Sequence, residues 1–449
     1  MAGYYIVNFG CRAQQADGSA IERQLADRGL ARVTSPTEAE VIVLNTCTVT
    51  AAADQDARAA IRRVRREQPA AQILVTGCYA QRAPEEIAAL DGVTWVVGNS
   101  HKHQIGKIVA DRHDPNFLPL RHFNAGQNDS SFRGTIYASD IFAHTELQAA
   151  PVFDSIERTR PNLKIQDGCD NRCSFCVIPF VRGQSRSLPT ETVLQELHVL
   201  ENAGYREVVI SGINLGRWGR DFENPEHFPD LLRTVLERTS MEKLRLSSVE
   251  PMDWTDELIE LVASSPRVAK HAHVPLQSGS DAILRKMHRK YRPWHYADKI
   301  EKIRKAMPHA AIGADVMVGF PGETDDLFRE SLEFVKRLPF TYLHVFTYSP
   351  RPGTPAASMP DQVPIQVAHA RSRIMREVAA AKNVGFRLSF IGRTLPAITL
   401  ARTSDAGTEA LTDNYLNVQL THEVERNRWI QVHVDALTAQ GLSGEVVSR

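Results

Sequence analysis

The 449-residue sequence lacks any run near the ~20 consecutive apolar residues that cross a bilayer, and its first ten residues contain no apolar signal-peptide core. It also has only six cysteines. In a chain of this length without an export signal, so few cysteines argue against a disulfide framework and for metal binding or redox chemistry. These absences predict a globular, cytoplasmic protein without a membrane partner.

Net charge is absent too, because 53 basic residues balance 53 acidic ones. A neutral chain has no global field to draw it onto a polyanion, so a nucleic-acid partner would have to be held by local basic patches. Two runs, 58–66 and 285–305, are rich in arginine and lysine, and the second also contains Tyr291, Trp294 and Tyr296. Either run is equally compatible with a solvated helix face.

The densest cysteine group lies in DGCDNRCSFCVIPFVRG (167–183), where Cys169, Cys173 and Cys176 are spaced C-x-x-x-C-x-x-C. A cubane iron–sulfur cluster takes four thiolates, so three leave one iron open to bind a substrate. Zinc is the alternative, but zinc modules usually add a second Cys or His pair, and the nearest candidate, His198, lies in a polar helical run. The spacing therefore favours iron–sulfur over zinc.

With Phe175 before the last thiol, this segment resembles the C-x-x-x-C-x-aromatic-C motif of radical S-adenosylmethionine (SAM) enzymes. Nearly the whole chain resembles one family of that superfamily, the methylthiotransferases. The resemblance implies that Cys169, Cys173 and Cys176 bind a 4Fe–4S cluster, and that SAM binds its open iron and is cleaved to a 5′-deoxyadenosyl radical. The flanking sequence must indicate which reaction follows.

The first hundred residues alternate strand patterns (4–9, 41–46, 73–77, 93–98) with helical patterns (18–28, 51–67, 80–90), which predicts βαβ units and a parallel sheet. Cys11, Cys47 and Cys78 each follow the carboxyl end of one of these strands. Such ends share one edge, where open α/β sheets bind ligands, so we expect the thiols to converge. A buried structural cysteine is the alternative for each one alone. The family resemblance implies an auxiliary 4Fe–4S cluster on these three thiols.

Residues 114–159 have mixed polar composition without sustained periodicity and are expected to be an irregular connection. From residue 160 onward, helical patterns separate six strand candidates: 163–166, 206–211, 243–248, 270–275, 311–319 and 341–349. Six βα units predict a partial (β/α)6 barrel whose site lies at the carboxyl ends of the strands.

Each of these strand ends carries an unusual, mostly glycine- or serine-containing sequence. Any single one can be an ordinary turn, but their repetition favours a shared pocket of backbone and polar groups. The resemblance assigns the pocket to SAM, with candidate contacts Ser211, Gly212, Asn214, Ser247, Glu250, Gln277 and Gly319. Arg182 and Arg186 lie in a run similar to an arginine-containing run of the family, and are candidate substrate-binding residues or simple supports of the loop.

Residues 371–382 have helical propensity and lead to short strand patterns separated by turn residues, which predicts a small β-barrel. The family ends in such a module, called TRAM, which implies RNA binding. Beyond Arg387 acidic residues slightly outnumber basic ones, so affinity there would rest on shape and on stacking with Tyr415 or Trp429 rather than on counterion release. Without the resemblance, a structural cap is the preferred interpretation.

The expected architecture is α/β: an N-terminal parallel-sheet methylthiotransferase domain (1–113), a linker (114–159), a radical SAM partial barrel (160–386) and a TRAM-like β-barrel (387–449). Local tracts such as 344–346 and 412–415 most resemble the MtaB branch, which methylthiolates C2 of N6-threonylcarbamoyladenosine at tRNA position 37. Alternatives are MiaB-like methylthiolation of isopentenyladenosine in tRNA and RimO-like methylthiolation of a ribosomal-protein aspartate. The resemblance implies tRNA, a reducing electron donor such as flavodoxin or ferredoxin, and a sulfur source as partners.

Two alternative hypotheses of function predict different arrangements of the cysteines. A nucleic-acid-binding protein with structural clusters would need closed, four-ligand sites, whereas each group here has three cysteines. A radical SAM methylase would not need Cys11, Cys47 and Cys78.

Overall fold

The computed structural model describes residues 3–111, 134–144, 147, 159–404, 407–439 and 441–447. Its first strands are β1 (Gly3–Asn8), β2 (Ala31–Arg32), β3 (Val41–Thr46), β4 (Gln72–Gly77), β5 (Val93–Val97) and β6 (Thr135–Tyr137). They form one parallel sheet in the order β2-β1-β3-β4-β5-β6. Strand β6 comes from the segment expected to be a connection, most of which lies outside the described residues.

The helices of this part are α1 (Arg12–Ala26), α2 (Ala51–Glu67), α3 (Cys78–Arg82), α4 (Pro84–Ala88) and α5 (Ile105–Ala110). Helix α1 begins before the predicted residue 18 because its first turns carry Gln14 and Asp17, polar residues that are buried rather than solvated. The predicted helix 80–90 is divided into α3 and α4 because Pro84 cannot continue a helix and instead starts one.

The central strands are β7 (Asn162–Asp167), β8 (Arg186–Ser187), β9 (Glu207–Gly212), β10 (Lys243–Leu246), β11 (His271–His273), β12 (Ala311–Val318) and β13 (Tyr342–Thr347). The helices are α6 (Ile178–Arg182), α7 (Thr190–Asn202), α8 (Phe228–Arg238), α9 (Asp256–Ser264), α10 (Asp281–Lys286), α11 (Pro293–Ala306) and α12 (Asp325–Arg337). Parallel pairing runs β7-β9-β10 and β11-β12-β13, and isolated parallel bridges join β10 to the β11 region. The predicted partial (β/α)6 barrel is confirmed.

Helix α13 (Ile365–Leu388) leads into β14 (Thr394–Ser404), β15 (Gly407–Thr412), β16 (Asn417–Leu420), β17 (Trp429–Leu437) and β18 (Leu442–Val446). These strands close into a barrel in the order β14-β15-β16-β18-β17, as the tail pattern predicted. Phe390, Val418 and Val432 are among the buried residues of its core. Within the described part of the chain, no helix is both long and apolar enough to span a membrane.

The two faces of the central barrel strands differ in chemistry, and both are largely buried except along β13, where His344 and Phe346 are exposed. Alternate residues such as Leu163, Leu244 and Ala314 belong to the large apolar core, which also contains residues of the surrounding helices. Their neighbours point to the barrel interior, because successive strand residues face opposite sides. The interior positions are mostly polar or aromatic and include Lys164, Gln166, Glu207, Arg245, His271, His273, Asp315, Tyr342 and His344. The barrel therefore encloses a polar interior, while its apolar core lies outside the strands.

The N-terminal part contacts both edges of the open barrel. On the β7 side, Asn162 donates from Nδ2 to Gln15 Oε1 of α1 at 3.1 Å. On the β13 side, Ser349 Oγ accepts from Ala51 N at 3.0 Å, and Arg351 pairs with Asp54 at 2.5 Å. The N-terminal part thus bridges the first and last parallel strands of the barrel.

The C-terminal barrel covers the amino-terminal end of the same strands. Arg245 of β10 is fully buried and donates to the carbonyl oxygens of Asp413 at 3.0 Å and Thr412 at 3.3 Å. Its guanidinium also pairs with the buried Glu207 at 2.7 Å. One arginine thus links two barrel strands to the C-terminal module.

Replacing Arg245 by Met should lower stability strongly, because the fully buried Glu207 carboxylate would keep only the longer ion pair with Arg160. Removal of one member of a buried ion pair typically costs about 3–5 kcal/mol. Urea unfolding followed by circular dichroism measures the change. The matched control is Arg233→Met, whose partner Glu257 lies at the surface, and its midpoint should stay close to wild type. Equal midpoints for the two variants would contradict the role given to Arg245.

Candidate active site

The loop that carries Cys169, Cys173 and Cys176 starts directly after β7. Gly168 has a φ of +72°, and a Cβ there would lie 1.8 Å from the Gln184 carbonyl oxygen, so only glycine permits this turn. Cys169 N donates to Gly183 O at 3.0 Å, and Cys176 N donates to Cys173 O at 3.1 Å. The loop is thus folded back on itself at the barrel mouth.

The three thiols lie close enough to affect one another electrostatically. Burial, and then the charge of Cys173, raise the pKa of Cys176 to about 12. Burial also raises the pKa of Cys169. Thiolates in such a place need a positive counter-charge, which a bound metal ion supplies. The donor set therefore fits a cubane cluster with one open iron.

Two polar side chains donate to these sulfurs. Asn214 Nδ2 lies 3.7 Å from Cys169 Sγ, and Arg289 Nη1 lies 3.3 Å from Cys173 Sγ. Glu250 and Tyr291 hold the Arg289 guanidinium, the second through a 3.1 Å hydrogen bond to its hydroxyl. Donors of this kind stabilise thiolate charge and orient a metal's ligands. The sequence does not distinguish Arg289 from the other basic residues of the run 285–305. In the structure Arg289 is buried, whereas Arg285, Lys286 and Lys290 are exposed.

Four of the predicted SAM contacts are polar side chains at the barrel mouth, and they differ in what they touch. Asn214 and Glu250 lie beside the cysteine loop, and the buried Ser247 hydroxyl has no hydrogen-bond partner among the described residues. Ser211 is different, because its hydroxyl donates to the Leu163 carbonyl at 3.3 Å.

The remaining candidates occupy close backbone positions. A Cβ on Gly212 would lie 3.0 Å from Gln166 Oε1, and Gln277 adopts a φ of 67° while it pairs with β12. Gly319 packs against α13, where a Cβ would lie 2.5 Å from that of Ala368, and its N–H donates to Glu323. The SAM contacts of all seven residues stay predictions.

Arg182 and Arg186 lie inside the protein rather than on an open surface. Arg182 pairs with Asp167 and with Asp17 of α1, each at 2.9 Å, and is 1% exposed. Arg186 donates to the carbonyl oxygens of Arg182 at 2.6 Å and His144 at 3.2 Å. These contacts join the N-terminal part to the barrel, and substrate binding by the two arginines stays a prediction.

The second cysteine group forms at the carboxyl ends of β1, β3 and β4, where the strand pattern predicted it. Gly10 has a φ of +94°, and a Cβ there would lie 2.9 Å from that of Cys47, so glycine lets the Cys11 loop approach. Burial, then the charges of Cys78 and Cys11, raise the pKa of Cys47 to about 12. Asn99 Nδ2 lies 3.6 Å from Cys78 Sγ, the same arrangement that Asn214 makes with Cys169. This donor set also fits a cubane cluster with one open iron.

The two cysteine groups adjoin across one apolar contact. Cys78 packs in a buried cluster with Val177 and Val181, and Val177 directly follows Cys176. Asn99 spans the same boundary, because its Nδ2 also donates to Val181 O at 2.7 Å. The helices that carry these residues, α3 and α6, therefore hold the two sets of thiols side by side.

Below the cysteines, rings line the barrel interior. His273 and His344 lie on either side of Asp315, and one ligand atom of each residue lies within 4.8 Å of the others. Burial alone would raise the pKa of Asp315, but the neighbouring imidazoles, His273 Nε2 at 3.4 Å and His344 Nδ1 at 3.2 Å, outweigh it and lower that pKa. Ser248 Oγ lies 2.7 Å from His273 Nδ1. The carboxylate is thus ionised and held between two imidazoles.

Two more rings continue this lining toward the C-terminal barrel. His271 Nε2 lies 2.7 Å from the Tyr342 hydroxyl, and Tyr415 packs on His271 with ring centroids 4.5 Å apart. Because the Tyr415 ring packs against other side chains of the protein, it does not present an open stacking face to RNA. Sequence reasoning missed these interior residues, although polar residues at alternate positions of otherwise buried strands were a usable signal.

Comparisons with known proteins agree with this arrangement. The model described as "Uncharacterized protein family UPF0004" matches residues 3–98, and that of the "Radical SAM superfamily" matches residues 163–335. "Threonylcarbamoyladenosine tRNA methylthiotransferase MtaB" of Bacillus subtilis (strain 168) is 39% identical, covering 83% of this chain and 79% of that protein. "tRNA-2-methylthio-N(6)-dimethylallyladenosine synthase" of Syntrophobacter fumaroxidans is 31% identical, covering 99% and 96%.

Among solved structures, the radical S-adenosylmethionine methyltransferase TsrM from Kitasatospora setae, with tryptophan substrate and a SAM analogue bound, superposes with a TM-score of 0.53. It is 16% identical, and the match covers 80% of this chain and 75% of that one. At this identity the likeness concerns the fold alone.

The two donor sets predict two separable iron sites. Anaerobically reconstituted wild-type protein should hold about eight irons per chain on the four-iron stoichiometry. Alanine at Cys169, Cys173 and Cys176, or separately at Cys11, Cys47 and Cys78, should remove about half. Colorimetric iron analysis and Mössbauer spectroscopy measure this. The His198→Ala variant is the control and should keep the full content, since that exposed imidazole pairs with Glu201 at 2.9 Å. Full iron in either triple variant would overturn that ligand set.

Proposed function

This chain belongs to the radical SAM methylthiotransferase family, and we propose that it inserts a methylthio group at C2 of N6-threonylcarbamoyladenosine at position 37 of tRNA. As a radical SAM enzyme it uses SAM and a 4Fe–4S cluster. The observation that carries the proposal is the pair of three-cysteine groups, which adjoin through Cys78 and Val177 above a polar barrel interior. The 39% identity to the MtaB relative of Bacillus subtilis, against 31–35% for three dimethylallyladenosine synthases, supports the choice of nucleoside.

The target bond explains why two cysteine groups are needed. No side chain can remove an aryl C2 hydrogen as a proton at neutral pH, so the chemistry belongs to cofactors. When bound, SAM supplies the 5′-deoxyadenosyl radical and the methyl group, and the two clusters supply the electron and the sulfur. In this proposal Cys169, Cys173 and Cys176 hold the SAM-cleaving cluster, and Cys11, Cys47 and Cys78 hold the auxiliary one.

In this proposal the protein's own side chains hold the two clusters, orient their thiol ligands and keep the two cysteine groups adjacent. Asn214 and Arg289 donate to thiol sulfurs of the SAM-cleaving group, while Glu250 orients Arg289. The contact between α3 and α6 keeps the two groups adjacent. The N-terminal part also contacts both edges of the open barrel, which places the auxiliary cysteines beside the barrel interior.

Several parts of the proposal rest on the family alone. They are the SAM contacts, an electron donor such as flavodoxin or ferredoxin, and a sulfur source. The domain division at 113, 159 and 386 and the cytoplasmic location, which came from composition and strand patterns, also stay predictions. The second candidate function is methylthiolation of isopentenyladenosine, which the 31% identity over 99% of the chain favours.

Nucleoside mass spectrometry tests the function. Transfer RNA from cells that express the wild-type chain should contain the 2-methylthio derivative of threonylcarbamoyladenosine, and the deletion should lack it. The reconstituted Cys11/Cys47/Cys78→Ala variant should still release 5′-deoxyadenosine from SAM but form no methylthio product. Its counterpart at Cys169, Cys173 and Cys176 should do neither. Methylthio product from either variant would refute the two-cluster assignment, and a 2-methylthio derivative of isopentenyladenosine alone would favour the second candidate.

Binding of tRNA should depend on salt through the exposed basic residues around α10. Arg285, Lys286 and Lys290 are exposed, whereas Arg289 is buried and is left unchanged. Replacing the three by Gln should lower the log–log salt slope by about one for each phosphate that is no longer neutralised. Fluorescence anisotropy across a salt series measures the slope. The control replaces three exposed basic residues of α12, Arg329, Lys336 and Arg337, and an equal decrease of the slope there would refute the placement of tRNA.

A further inference from the structure

Arg12 differs from the other arginines of the barrel interior. It is half-buried at the start of α1, directly after Cys11. Arg245 and Arg289 are paired with Glu207 and Glu250. For Arg12, the polar contact found among the described residues is the Tyr415 hydroxyl, which accepts from Nη2 at 3.0 Å. No carboxylate of the described residues neutralises its charge.

Among the described residues, the carboxylates near Tyr415 already pair with other cations, Glu207 with Arg245 at 2.7 Å and Asp413 with Lys243 at 3.0 Å. The neighbours of Arg12 are the stacked rings of His271, Tyr342 and Tyr415. Burial and then the charges of Arg245 and Arg12 lower the pKa of His271 well below its usual value, so that imidazole is neutral. Asp315 is further along the wall and is already held by two imidazoles. Arg12 therefore presents a guanidinium without a carboxylate partner to a polar interior.

A guanidinium fork binds a carboxylate through two parallel hydrogen bonds, which makes arginine the side chain best suited to this group. A threonylcarbamoyl substituent ends in a carboxylate, whereas an isopentenyl substituent has no polar group. We propose that Arg12 binds the threonine carboxylate of the N6 substituent and thereby sets the substrate choice. This inference rests on the proposed function and concerns the same site.

Tyr415 gives the C-terminal barrel a part in this recognition. It lies in the turn between β15 and β16 with a φ of 68°. Its ring packs on His271 at 4.5 Å and on Tyr342 at 5.8 Å, so its hydroxyl is held in place beneath the Arg12 fork. Tyr415 is a positioning residue: it orients the guanidinium and does not itself touch the carboxylate.

The test uses two anticodon stem-loops that differ in one group. One carries N6-threonylcarbamoyladenosine, and the other carries the same nucleoside with the threonine carboxylate converted to a primary amide. Dissociation constants are measured with the reconstituted enzyme and SAM but without reductant, so binding is read without turnover. Wild type should bind the acid about 10- to 100-fold more tightly than the amide, as expected for a charge-assisted bidentate contact. A ratio near one in wild type overturns the inference without any variant.

Variants then assign the discrimination to Arg12. Arg12→Gln should bind the acid as weakly as the amide, Arg12→Lys should recover part of the ratio, and Tyr415→Phe should reduce it about 2- to 5-fold through the acid alone. The matched control, Arg23→Gln, removes an equal charge from the exposed far end of α1 and should keep the wild-type ratio. Iron content and melting midpoint verify that each variant is folded.

The outcomes separate this inference from the proposed function. Absence of methylthio product from wild type on the acid stem-loop would refute the proposed function. Product from wild type, together with an acid-to-amide ratio that Arg12→Gln leaves unchanged, would refute the role of Arg12 alone. Equal weakening of both stem-loops by Arg12→Gln would show a phosphate or structural contact and would also overturn it.

Discussion

A buried charge cluster between α1 and the barrel determines where both cysteine groups lie. Asp17 of α1 pairs with Lys102 and Arg182, and also with Lys164, while Asp167 at the end of β7 pairs with Lys164 and Arg182. Burial opposes ionisation of Asp17, but the three cations outweigh it and lower its pKa well below the usual range. The cations thus hold both carboxylates in their charged form, while burial lowers the pKa of Lys102 in return.

Such a cluster adds little net stability, because desolvation offsets much of the Coulomb attraction. It does specify one arrangement, since any shift of α1 along β7 would leave a buried charge unpaired. Arg182 ends α6, the helix that follows Cys176, and Asp17 lies on the helix that follows Cys11. The ion pair between Asp17 and Arg182 therefore links the two helices that follow the cysteine loops.

The strands and the convergence of the cysteines at their carboxyl ends could be predicted from sequence because each strand is specified by its own run of apolar residues. In β3 and β4, for example, a run of mostly apolar residues indicates the strand, and the cysteine or glycine that follows indicates where it ends. The start of α1 was missed because Gln14 and Asp17 are buried by another part of the chain, which no periodicity reports. For the same reason the sequence left Arg289 in a basic run compatible with phosphate contact or a solvated face, and offered Tyr415 as a stacking residue for RNA. Their positions depend on contacts such as the one from Arg12 to Tyr415, 403 residues apart.

The polar interior of the central barrel gives the nearly neutral C-terminal barrel a structural role that does not depend on charge. The interior of the central barrel, lined by arginine, aspartate and histidine, offers little apolar surface, so its amino-terminal end has to be covered by hydrogen-bonding groups. The turn at residues 412–415 supplies them: the carbonyls of Thr412 and Asp413 accept from Arg245, and the Tyr415 ring closes the wall of His271. The C-terminal module thereby forms one boundary of the interior, where its contribution depends on shape and hydrogen bonding and requires no basic charge.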